Sequence, residues 1–377
     1  MMREVTPGPE GKQTATEGYI KYARRKVLFL AGIAVLLFIL SVITIHIGST
    51  NLSYFDIIKY LIHPDDSWNS TVVWDLRFRM ILAAIVAGAA LGCAGCVMQS
   101  ILRNPLASPF TLGLSNASAF GAALGILFLD GGIIVGQTAA YTNVTNPVIV
   151  TLMAFLFAML ATGVMLLLVK LTECTPESIV LAGLAISSIF SAGLAFLQYM
   201  ASDVALSAIV FWQFGSLSKI SWGNLELLGV VLIIVAAYFF WKRWDYNAIE
   251  SGEDVARSLG TNVNRTRLVG LVMSALLTAF VVSFMGIIGF IGLIGPHIVK
   301  RLIGNDNRYV LPGSMLIGAL VLLLAYIVGS YAFYTVIPVG IITSAIGGPL
   351  FILILLRGRR KRLRSKISTS PTAGKRS

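Results

Sequence analysis

Long uncharged apolar runs, separated by short polar breaks, occupy most of the chain. They fall at about 26–48, 80–101, 110–129, 147–169, 179–200, 223–241, 267–287, 288–303, 310–332 and 338–356. Runs such as VLFLAGIAVLLFILSVITIHIG (Val27 to Gly48) and VIVTLMAFLFAMLATGVMLLLV (Val148 to Val169) reach the ~20 residues a helix needs to cross a bilayer. The pattern predicts an all-α, polytopic membrane protein of about ten transmembrane helices, with both tails on one side. The eighth run, IIGFIGLIGPHIVKRL, is short and broken by Pro296. Gly286, Gly289, Gly292 and Gly295 recur along it at a spacing that favours packing against a neighbour over exposure to lipid. Between the fifth and sixth runs, Ala201 to Trp222 is moderately apolar and predicts a short helix near the outer surface.

Composition agrees with the pattern. A mean hydropathy of +0.84, with 56% hydrophobic and 12% charged residues, excludes a soluble globular domain of 377 residues. The formal charge of +12 does not mark a nucleic-acid face, because the basic residues gather at the tails and in short loops. On the ten-crossing topology, 25 of the 29 Lys and Arg lie on one side, and only Lys59, Arg77, Arg79 and Lys219 on the other. That asymmetry predicts a multi-pass protein of the cell membrane with both termini cytoplasmic. The expected organisation is a polar, disordered tail over 1–25, a membrane domain over 26–356 and a basic tail over 357–377. KYARRK (Lys21 to Lys26) reads as an anchor for the first span, which is too long for the core of a cleaved signal.

Chemistry within the spans is sparse. Away from their ends they carry no Asp, Glu, Lys or Arg and, outside the broken eighth run with its His297, no His, so little is placed to bind or relay a driving ion. No G-x-x-x-x-G-K-[ST] loop is present, so the chain has no phosphate-binding loop of its own. No catalytic set and no metal cluster is evident. Cys93 and Cys96 form a C-x-x-C inside GAALGCAGCVMQ, where small residues suit close helix packing better than redox chemistry; Cys174 stands alone.

Two stretches exceed what a bundle requires. MQSILRNPLASPFTLGLSNASAFGAALG (Met98 to Gly125) places Arg, Asn, Pro and hydroxyl residues between apolar runs; Asn104-Pro105 alone reads as a tight turn. The loop over 244–266 contains a short amphipathic helix, Gly252 to Leu259. Ala256 and Leu259 supply its apolar side, Glu253, Asp254 and Arg257 its wet side, and Gly260 its C-cap. Such a helix suits a groove on a soluble partner or the membrane surface.

Four blocks in order resemble the permeases of ABC importers for iron–siderophores, haem and cobalamin, the FecCD-type family. They are GAALGCAGCVMQSILRNPLASPFTLGLSNASAFGA, GEDVARSLG, GFIGLIGPHIVKRLIGNDNRYVLPGSMLIGA and IPVGIITSAIGGPLFILILLR. The resemblance spans almost the whole hydrophobic length and implies the type II ABC importer permease fold. It further implies two permease subunits side by side, homodimeric or of related chains, two ATPase subunits that consume ATP, and an extracytoplasmic substrate-binding protein. The chain itself would be a transport subunit without enzymatic activity or a bound cofactor. By the same resemblance, Asn104, Pro105 and Leu106, faced by Thr175, would narrow the pathway at the cytoplasmic side. Glu253, Asp254, Ala256, Arg257, Leu259 and Gly260 would couple to the ATPase, Arg77 and Arg79 would dock the binding protein, and Gly295, Pro296, Pro338 and Gly340 would act as hinges. Pro176 and Glu177 depart from the small hydroxyl residues of some relatives. At the rim, Arg77-Phe78-Arg79-Met80 displaces one Arg of an R-x-P-R pattern, and Ser330 replaces another. The expected cargo is a bulky metal chelate, an iron–siderophore first and cobalamin or haem next. The alternative from the residues alone is a secondary carrier or passive channel for a small organic solute, or a membrane scaffold.

Overall fold

The computed structural model describes residues 9–48, 50, 52–129, 133–135, 142–144, 146–171 and 175–368, with side chains described between Ile20 and Leu353. Cys174 and residues 1–8 and 369–377 of the two expected tails lie outside the described residues. Each of the ten apolar runs forms a helix: α1 (Pro9–His46), α4 (Arg79–Ile101), α5 (Leu114–Phe128), α6 (Pro147–Leu171), α7 (Pro176–Met200), α9 (Trp222–Trp241), α12 (Val263–Met285), α13 (Ile291–Ile303), α14 (Asn307–Tyr331) and α15 (Val339–Ser368). The remaining helices are short: α2 (Tyr54–Ile62), α3 (Trp68–Thr71), α8 (Asp203–Gln213), α10 (Arg243–Ser251) and α11 (Glu253–Ser258). Two strands of three residues, β1 (Ile133–Val135) and β2 (Thr142–Val144), pair antiparallel between α5 and α6. The backbone of residues 9–19, placed by the sequence in a disordered tail, is helical.

The small residues of α4 explain why it sits at the centre. Nineteen of its residues are buried, and it packs on α14, α12 and α13. A side chain at Gly92 would strike the backbone of Ser314 on α14, and one at Gly95 the backbone of Gly292 on α13. The glycine spacing of the eighth run serves the same contact: Gly292 and Gly295 let α13 lie against α4 and α14 despite Pro296 inside it. GAALG occurs at Gly88–Gly92 and again at Gly121–Gly125, and the second copy repeats the device, Gly121 of α5 lying against the Met153 backbone of α6. Without a hydrophobic force between helices in lipid, such close approach supplies the dispersion contacts that hold a bundle. Cys93 and Cys96 are both buried and unbridged in this seam.

Three features were not expected from the pattern. The second span is longer than its apolar core, because α3, a π-helical segment (Val72–Phe78) and α4 form one 34-residue helix from Trp68 to Ile101. The nine-residue α2 begins with a capping box in which Ser53 and Asp56 satisfy each other's backbone. At the same end of the bundle three loops cross. Gly215 (φ +67°) and Gly286 (φ +79°) adopt left-handed conformations, Ser216 N donates to Met285 O at 2.7 Å and Gly340 N to Gly215 O at 3.2 Å.

Candidate functional site

The turn after α4 is built by Asn104. Its side-chain Oδ1 accepts from Leu106 N at 2.9 Å, its backbone N donates to Gln99 O at 3.2 Å, and its carbonyl accepts from Ala107 N at 3.1 Å. Arg103 just before it adopts φ +48°, a conformation that non-glycine residues take only when their surroundings hold them there. The turn separates two polar clefts. One, of 450 Å³, is lined by Gln99, Arg103, Pro105, Glu250, His297 and Lys300 among others. The second, of 610 Å³, brings Thr175, Pro176 and Glu177 beside Arg103, Glu253, Arg257 and Arg267. Thr175 is the N-cap of α7, its hydroxyl accepting from Ser178 N at 3.2 Å. Thr175 thus shares a cleft with Leu102 and Arg103, just before the turn, while Pro105 lines the other cleft.

Residues 243–258 form a helical pair, α10 and α11, broken at Gly252 (φ +137°). Gly260 (φ +81°) ends α11 as the sequence predicts. Gly260 N donates to Arg257 O and Thr261 N to Ala256 O, the paired bonds of a Schellman cap. The apolar side differs from expectation. Ala256 is fully buried with Ala248, Ile249 and Val263, whereas Leu259 is 70% and Val255 45% exposed. Leu259, four residues after Val255, lies one turn along and shares its outer face, away from the buried Ala256. Of the expected wet residues, Asp254 and Arg257 are exposed, but Glu253 turns inward to the buried Arg267, Oε1 to Nη2 at 2.5 Å.

Beneath this pair lies a polar network that sequence reasoning missed. Glu250 Oε1 accepts from Lys300 Nζ at 2.7 Å and from Ser100 Oγ at 2.6 Å. Asn247 accepts from Asn307 N at 2.8 Å and donates to Asp306 Oδ1 at 3.2 Å. Burial alone would raise the Asp306 carboxyl, but hydrogen bonds from Arg308 and Asn247 hold it below its ordinary value. Burial pushes the Tyr246 phenol far above its usual range. Lys300 stands at a span end 50 residues from Glu250, so no spacing in the sequence pairs them.

At the opposite end, Arg77 corrects an expectation. It is 4% exposed; Nη1 donates to Ile45 O at 2.9 Å and Nη2 to Thr50 O at 2.8 Å and to Thr50 Oγ1 at 2.9 Å. A cation on the free carbonyls of a helix C-terminus is favourable, and here it fastens α1 to the long second helix. Its charge is spent inside the chain, so the docking role does not fit it. Arg79 lies 3.9 Å from Asp75. Arg77, Ser330 and Pro338 border a 640 Å³ cavity with Tyr326, Ser216 and Trp68. Of the expected hinges, Gly295 and Pro296 lie in the α4–α13–α14 seam. Pro338 and Gly340 stand apart from them, at the crossing loops where a side chain on Gly340 would meet the Phe214 and Ile287 backbones.

Comparison with known proteins decides the family. The model of the FecCD transport family matches residues 34–357. The chain belongs to the FecCD transport family. A protein of Methanocaldococcus jannaschii named as an ABC transporter permease is 42% identical, covering 90% of this chain and 97% of its own. The Fe(3+)-citrate import system permease of Bacillus subtilis is 33% identical over 90% of this chain and 97% of its own. Permeases named for hemin in Yersinia pestis and for vitamin B12 in Vibrio cholerae are each 30% identical, over 89% and 78% of this chain and 97% and 86% of their own. Among solved structures, an inward-facing metal-chelate type ABC transporter superposes with TM-score 0.75 at 30% identity, covering 87% of this chain and 99% of that one.

Proposed function

We propose that this chain is the permease subunit of an ABC importer that carries a bulky metal chelate into the cytoplasm, an iron–siderophore first and cobalamin or haem next. The observation that carries the reading is the outer face of α11. Val255 and Leu259 lie exposed on a short helix whose opposite side is seated by Ala256 and by the Glu253–Arg267 pair. A rigidly seated helix offering two apolar side chains and flanking charges, Asp254 and Arg257, suits a groove on a soluble ATPase. Two such ATPases, each gripping one of two permeases, would supply the work that spans so poor in ionisable groups are not built to draw from a gradient. The family match and the names of its relatives support the chelate as cargo.

In this reading both termini and the α10–α11 pair face the cytoplasm. The Asn104–Leu106 turn and Thr175 narrow the exit between two permeases, and α13 and α15 bend at Gly295, Pro296, Pro338 and Gly340. The binding protein sits over the opposite end. ATP is consumed by the partner alone.

The test is co-purification with the cognate ATPase. Leu259→Asp and Val255→Asp place charges in the apolar contact, each costing about 2–4 kcal/mol of binding, or roughly 30- to 1000-fold in affinity. The expected outcome is loss of the ATPase from the purified complex with the permease still folded. Retention of the ATPase by the double variant would contradict the reading.

A further inference from the structure

The loop that the proposed function assigns to the ATPase is not simply resting on the bundle. We infer that Glu250 and Glu253, either side of Gly252, are positioning residues that tie the ATPase-docking loop to the Asn104 turn through the last turn of α4, with the Glu250–Lys300 pair as the stiffer of two arms.

Glu250 closes α10 and reaches two spans at once through one oxygen: Lys300 of α13 at 2.7 Å and Ser100 of α4 at 2.6 Å. Glu253 opens α11 and reaches Arg267 of α12, whose Nε donates to Ile101 O of α4 at 3.1 Å. The two arms therefore end on consecutive residues of α4, Ser100 and Ile101. Directly beyond them, Arg103 N donates to Ser100 O at 3.3 Å and Asn104 N to Gln99 O at 3.2 Å. No slack segment separates the loop's two carboxylates from the turn, only side-chain contacts and one helical turn.

The arms differ in stiffness. The Glu250 and Lys300 side chains are 16% and 17% exposed, shielded enough for charge to hold geometry. The other arm is uneven: Arg267 is 2% exposed, but Glu253 is 30% exposed and also lies 3.9 Å from Arg257, so water and a second cation share the carboxylate's charge. Buried ion pairs contribute little net stability compared with apolar packing, and their best-attested value is fixing one geometry among alternatives. Asn247, holding Asn307 N at 2.8 Å, extends the same grip to α14. A load applied to α10–α11 would thus move α4, α12, α13 and α14 together.

This inference rests on the permease reading, and one experiment separates the two. The complete importer, with ATPases and binding protein in vesicles, is assayed for ATP hydrolysis and for uptake of a ferric chelate. If the wild type takes up nothing on ATP, the underlying reading fails. Given ATP-driven uptake, Glu250→Gln/Lys300→Met removes the pair without stranding a charge. The expected result is hydrolysis near the wild-type rate with uptake per ATP reduced by roughly 10-fold, within the usual span of coupling effects. The reversed pair, Glu250→Lys/Lys300→Glu, re-forms the link and should recover part of that ratio, which a change in general stability would not do. Unchanged uptake per ATP in an assembled Glu250→Gln/Lys300→Met importer would overturn the inference. Should that variant fail to assemble, Ser100→Ala decides: a lowered ratio supports the linkage, and an unchanged one overturns it.

Discussion

Single side chains at the two ends of the bundle do different work. Asn104 holds its turn with one side-chain acceptor and two backbone bonds. Asn104→Ala should cost about 1 kcal/mol of stability, the usual worth of one such bond, yet lower uptake by a larger factor because the turn borders both clefts. Asn104→Asp, which keeps the acceptor, should retain more activity; thermal melting and uptake on the same preparations separate the effects. Arg77 is the contrary case. Replacing it by Ala frees the carbonyls of Ile45 and Thr50 and should destabilise the protein by about 2–4 kcal/mol, as buried charge-assisted bonds do, without changing affinity for a binding protein. An unchanged melting temperature with weakened docking would restore the role expected from its sequence position. Asn104 was legible because Asn-Pro has a strong local meaning. The partners of Arg77 were not, since carbonyls near residue 45 leave no mark in the residues around 77.

Elements were legible in proportion to their length. Ten apolar runs gave ten helices because hydrocarbon forces every backbone group in a span to bond internally, and the small-residue seams of α4 and α13 followed from their spacing. Gly92→Val tests that seam. Its added atoms meet the Ser314 backbone, which cannot rotate away, and the cost is about 1–3 kcal/mol or more, read as a lowered melting temperature in detergent. Short elements escaped: α2 and α3 span nine and four residues, and the π-helical turn has no pattern of its own. The face of α11 was misjudged too. A wheel drawn through residues 252–259 brings Leu259 near both Val255 and Ala256, and only burial shows which of the two it joins at the surface. The Glu250–Lys300–Ser100 cluster was hidden because its members lie far apart in sequence and none is unusual where it stands.

For the molecule as a whole, the central fact is where charge is absent. Ionisable groups are sparse in the spans, His297 in the middle of α13 and the Asp75–Arg79 stretch of the long second helix being exceptions. So poor a set is a weak basis for harvesting an ion gradient, while charges collect in a linked network beneath a loop whose apolar residues are exposed. In the proposed function, that distribution means a separate subunit as the energy source and helix seams of glycine and proline as the moving parts. The most direct measurement is accumulation of a ferric chelate in sealed vesicles, with this chain alone or joined by its ATPase and binding protein. The account predicts uphill accumulation only in the complete assembly, dependent on ATP, blocked by vanadate and indifferent to a protonophore. Accumulation by the chain alone, driven by a pH or sodium difference, would contradict it.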